Sequence, residues 1–115
     1  LLYSYGAINM AKITEEEFKE LESTLPTKPY LLSYRGDDYV FKTMSKVDLK
    51  NFRKLTENKD PKKSEENEDK LVDLVMSQCI WPDKEIVDVM TEADGWMGLR
   101  LMEAYVMASI GAKKE

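Results

Sequence analysis

One stretch constrains the fold of this chain more than any other: "PYLLSYRGDDYVFKTM", residues 29–44. Its apolar and aromatic residues recur with a period near two, and "RGDD" separates the two runs with a glycine suited to a tight turn. The pattern predicts a β-hairpin with strands near 30–35 and 38–43. Leu32, Tyr34 and Val40 alternate with Ser33 and Lys42. Leu31 and Phe41 break that alternation, which predicts partial cover on both faces. A two-stranded hairpin is marginal alone in water and must pack against something. The rest of the chain offers helical periodicity only. The fold class is therefore α+β, mostly α, with one β-hairpin packed against about five helices.

"ITEEEFKELESTLP" reads as the first helix. Thr14 and Glu17 have capping-box spacing, Phe18, Leu21 and Leu25 share a face, and Pro26 stops the element. In "SKVDLKNFRKLTE" Ser45 and Asp48 have cap spacing, and Val47, Phe52 and Leu55 are expected to point inward. "EDKLVDLVMSQCI" sets Leu71, Leu74, Val75 and Gln78 or Cys79 at helical intervals, and Pro82 predicts its end just beyond Ile80. Asp83 is placed to cap a short helix, "KEIVDVMTEA", ending near Gly95. The last helix, "WMGLRLMEAYVMASI", carries Trp96, Leu99, Met102 or Leu101, Tyr105, Val106 and Ile110 as a broad apolar stripe. Gly111 takes its C′ position.

A chain of 115 residues suits one compact domain. Within it, residues 1–9 read as an extension ahead of Met10, and 10–56 as a helix, hairpin, helix half. Residues 57–69, which include the apolar-free "NKDPKKSEENED", read as a charged linker, and 70–115 as a helical half. The 17 basic residues are outnumbered by 22 acidic ones and sit beside them. No basic stripe can neutralise a phosphate backbone, so no nucleic-acid partner is expected. A single cysteine fits a reducing compartment. No apolar run approaches the ~18 residues of a membrane span. "LLYSYGAINM" lacks the basic region and cleavage pattern of a signal peptide.

Little here looks like catalysis. The chain has no histidine, which removes histidine triads, bases and metal ligands. Ser45-Lys46 has the context of a helix cap. "GWMG" at 95–98 lacks the lysine and preceding strand of a phosphate loop. The acids Asp37-Asp38 and Glu65 to Asp69 fall in a turn and a linker, where solvated charge is expected. Cys79 has nothing nearby to lower its pKa and reads as a small interior hydrophobe. No enzyme activity, cofactor or metal is expected. Trp81 reads as a seal between two helices or as a recognition anchor. Met97, Met102 and Met107 on the last helix read as core filler or as an adaptable binding groove. The candidate partner-binding residues are Trp81, Trp96, Met97, Met102, Tyr105 and Met107.

The order of these features has a counterpart in a known family. "YVFK" (Tyr39 to Lys42) enters a helix, and a charged break follows. Val75, Cys79, Ile80, Trp81 and Pro82 close the next helix, then comes a short helix, then a last one finishing at Ile110 and Gly111. This resembles the tail assembly chaperones of tailed bacteriophages over residues 28–112. The resemblance implies a non-enzymatic protein that coats the long, apolar, helical tape-measure protein in the host cytoplasm until tube subunits polymerise around it. It implies the tape-measure or tail tube protein as partner, with self-association as a further option. A small structural protein of the virion's tail, baseplate or connector, and an acidic inhibitor of a host protein, stay open as alternatives.

Overall fold

The structure, a computed structural model, describes residues 11–114, so the extension at 1–9 lies outside the described residues. In chain order it contains α1 (Glu15–Ser23), β1 (Tyr30–Tyr34), β2 (Asp37–Phe41), α2 (Lys46–Glu57), α3 (Ser64–Met76), β3 (Cys79–Trp81), α4 (Lys84–Ala93) and α5 (Gly95–Lys114). The expected class holds: five helices and an antiparallel sheet among the described residues.

Local chemistry explains most boundaries. Thr14 and Glu17 form the anticipated capping box: Glu17 N donates to Thr14 Oγ1 (3.1 Å) and Thr14 N to Glu17 Oε1 (3.0 Å). Ser45 caps α2 and Asp83 caps α4, each through its side-chain oxygen. In the hairpin turn Arg35 and Gly36 have φ of 51° and 84°. Positive φ at both central residues is the type I′ pattern, whose twist matches that of the flanking strands. Tyr34 therefore pairs with Asp37, Leu32 with Tyr39 and Tyr30 with Phe41.

The sheet has a third strand that the sequence reading assigned to helix. α3 stops at Met76, the chain turns through Ser77 and Gln78, and "CIW" adds to β2 as β3. Val40 pairs with Trp81 and Phe41 with Cys79, giving the order β1-β2-β3. Two groups end the helix early: Ser77 Oγ donates to Leu74 O (2.6 Å), and Gln78 N donates to Val75 O (2.9 Å). Pro82 thus follows a strand and terminates no helix. Because β2 is central, Tyr39, Val40 and Phe41 are all fully buried. That is why strict alternation failed in this run.

Three further expectations change. Residues 57–69 are not a linker throughout: a 3-10 turn spans Pro61–Lys63 and α3 begins at Ser64. Glu65 and Glu66 favour the positive end of that helix, and Glu66 pairs with Lys70 at 3.2 Å. In α2, Val47 is exposed. Asp48 takes the inward position on the face of Phe52 and Leu55, and its carboxylate accepts from Gln78 Nε2 at 3.1 Å. Finally, α5 runs past Gly111 to Lys114, so that glycine lies inside the helix.

One core spans both halves of the chain. Leu32, Tyr39 and Phe41 of the hairpin meet Val75, Cys79, Val87, Met97, Leu101 and Tyr105. Fully burying a side chain such as Leu101 contributes about 1.5–3 kcal/mol. α5 crosses α3 closely at Gly98, where a Cβ would stand 2.7 Å from Val72 Cγ1. "GWMG" is thus a helix-crossing point.

Candidate partner-binding surface

The six residues singled out from sequence do not form one surface. Met97 and Tyr105 are core residues. The Tyr105 ring meets Tyr30 edge-on at 5.4 Å and Phe41 at 5.6 Å, and its hydroxyl donates to Lys42 O at 2.9 Å. Met102 is half-buried against the same cluster. Trp81 is half-buried in β3, and its carbonyl accepts from Cys79 Sγ at 3.3 Å. Only Trp96 and Met107 face outward strongly, 61% and 67% exposed.

The geometry of a helix explains this scatter. Met97, Met102 and Met107 are spaced by five residues, and at ~100° per residue each step rotates about 140°. They point in three directions and line no common groove. Trp96 and Met107 are eleven residues apart, which is close to three whole turns, so they share a face. Arg100, Glu103 and Ile110 lie on that face too, and all three are exposed. Arg100 Nη1 pairs with Glu103 Oε1 at 3.1 Å, and its guanidinium stacks 5.4 Å from the centre of the Trp96 ring. This face is opposite the one that buries Met97, Leu101 and Tyr105.

A second outward apolar pair went unnoticed in the sequence. Ile86 and Val89 on α4 are 53% and 70% exposed, while Val87 and Met90 of the same helix pack inward. The signal was present: "EIVDVM" has more apolar positions than one helix face can bury. Between α3, α4 and the start of α5 runs an open groove of about 370 Å³. Asp73, Asp88 and Glu92 line it against one lysine, Lys84.

The corner between α4 and α5 is fixed by Asp94. Its Oδ1 accepts from Trp96 N (3.1 Å) and caps α5, and its Oδ2 accepts from the Tyr34 hydroxyl (2.7 Å). Arg35 Nε lies 3.6 Å from the same oxygen. The Tyr34 hydrogen bond chiefly holds the Asp94 carboxyl below its ordinary range, and the same bond raises the Tyr34 phenol. The hairpin turn thereby orients the helix start that displays Trp96.

Asp37 and Asp38, expected to be solvated charge, act as acceptors. Asp37 Oδ1 takes the Ala11 amide (2.7 Å) and Asp38 Oδ2 the Ile13 amide (3.1 Å), and Asp38 N donates to Ala11 O. They bind residues 11–13 to the edge of β2 beyond the reach of β3. Cys79 is buried as expected, and burial pushes its thiol up to about 11.

No family model, curated protein or solved structure matches this chain. Among the described residues no three His, Cys, Asp or Glu side chains converge as a metal site, and no helix is long and apolar enough to cross a membrane. What the geometry offers is outward apolar side chains on α4 and α5, carried by a chain of net charge −5.

Proposed function

We propose that this protein is a non-enzymatic tail assembly chaperone of a tailed bacteriophage, which holds the tape-measure protein in the host cytoplasm until the tail tube forms. The reading rests on the sequence resemblance, and one observation supports it. Ile86 and Val89, about one helical turn apart on α4, are both exposed and offer adjacent apolar contacts to a partner. A holdase needs such side chains to cover apolar helix and a net negative charge to keep the complex dispersed. Its contacts should be individually weak and repeated, so that polymerising tube subunits can displace them in turn.

Co-expression with the tape-measure protein tests this. The expected outcome is a tape measure kept in the supernatant and co-eluting with this chain. Ile86→Glu combined with Val89→Glu is expected to abolish co-elution while the circular dichroism stays unchanged. A tape measure that remains insoluble with the unaltered chain would refute the reading.

A further inference from the structure

We infer that the outward face of α5 is a self-complementary surface on which a second copy of this chain docks antiparallel about a two-fold axis. Such a dimer goes beyond the proposed function and does not depend on it. A surface helix ordinarily shows a polar face to water. α5 instead carries Trp96, Met107 and Ile110 on the face opposite its core residues. These are large apolar groups left open, with Arg100 and Glu103 between the first two.

The order along that face is what identifies the occupant. Reading down the helix it runs Trp96, Arg100, Glu103, Met107: apolar, basic, acidic, apolar. Set a two-fold axis midway, between Leu101 and Met102, and reverse the second helix. Trp96 then faces Met107 of the second copy, and Arg100 faces Glu103 of the second copy. Both contacts occur twice, as an isologous interface requires. The indole meets a thioether, which adapts well to aromatic faces. The two Arg100–Glu103 pairs, already formed within each chain, become a four-charge cluster with alternating signs.

The registers three residues away, and the parallel one, are penalised. Sliding the second helix by three residues one way sets Glu103 against Glu103, and the other way sets Arg100 against Arg100. A parallel pairing opposes both like-charged pairs at once. Like charges in contact repel, so one register stands out by what the others cost as well as by what it gains. Trp96 and Arg100, residue types enriched at interface hot spots, lie in this contact. The Asp94 cap fixes the Trp96 backbone, and the Arg100 guanidinium lies over the indole before docking.

Sedimentation equilibrium of the isolated protein, from micromolar to millimolar chain, tests the inference. Wild type is expected to approach twice the mass of one chain as concentration rises. Arg100→Glu alone and Glu103→Arg alone are each expected to remain monomeric, because each creates four like charges at the centre. Mixing the two variants is expected to restore the dimer, since the two acidic side chains at positions 100 and 103 of one chain then face two basic side chains of the other. Both positions are exposed, and unchanged circular dichroism confirms the fold. A wild type monomeric at every concentration, dimeric single variants, or a mixture that fails to recombine would each overturn the inference. None of these results bears on the tape-measure experiment, which uses α4 variants.

Discussion

Gly98→Ala places a methyl group where Val72 already stands. An ideal Cβ at Gly98 lies 2.7 Å from Val72 Cγ1, whereas carbon atoms in contact prefer about 3.5–4.0 Å. The overlap is thus roughly 1 Å, and Val72 has little freedom to relieve it. Valine in a helix is held to one χ1 rotamer about nine times in ten, so α3 and α5 must move apart instead. Overpacking of this kind costs about 1–3 kcal/mol. Against it stands the better helix propensity of alanine, about 1 kcal/mol. The net expectation is a loss between near zero and about 2 kcal/mol, too wide a range to decide anything from the single variant. A double-mutant cycle does decide it. In a Val72→Ala background the obstructing methyl is gone, so Gly98→Ala should stabilise by about 1 kcal/mol. The coupling between the two sites should therefore be about 1–3 kcal/mol. Urea denaturation of the four proteins, followed by circular dichroism, measures it. If Gly98→Ala stabilises equally in both backgrounds, the close helix crossing is refuted.

Two further expectations concern titrating groups. With its thiol raised to about 11 by burial, Cys79 should resist Ellman's reagent at pH 8 in the folded protein and react at once in denaturant; rapid labelling without unfolding would place it at the surface. Asp94 has a depressed folded pKa, so its contribution is present above the unfolded carboxylate value of about 3.9 and lost as pH falls through the lower folded value. Tyr34 is raised, so its contribution is full below about 10 and fades as pH rises through the folded value. Asp94→Asn should accordingly lessen the acid loss of Tm, measured calorimetrically from pH 2 to 6; an unchanged acid limb would show that the carboxylate is not stabilised by the fold.

The parts of the fold that could be read from sequence were those set by neighbours in the chain. The hairpin followed from period-two alternation around Arg35-Gly36, and Thr14, Ser45 and Asp83 were recognisable caps because capping is a contact across three residues. β3 was not recognisable, because three residues show no period and "CIW" continues the apolar spacing of α3. It becomes a strand because β2 presents an open edge there. Val47 was misplaced because Asp48, a charged residue, takes the inward site through Gln78. The candidate surface was harder still. α5 is apolar around most of its circumference, so spacing alone cannot say which apolar residues bury themselves. Trp96 and Met107 emerge as the outward pair, and Met97 and Tyr105 as core, only once the sheet shows which side it covers.

The short third strand sets how the chain tolerates changes of length. Residues 58–60 connect α2 to the turn ahead of α3 and are exposed, so added residues there merely enlarge a loop at a slowly growing entropic cost. The path from Ser77 to Trp81 has no such slack. β3 already carries a register shift opposite Val40 and Phe41. Because side chains along a strand alternate between faces, one further residue ahead of β3 would rotate Cys79 out of the core and bring a neighbour in. It would also break the bond from Lys42 N to Gln78 O that locks the end of β2. Insertions and deletions among related chains should therefore gather at the exposed charged loop and be absent from the five residues between α3 and Pro82.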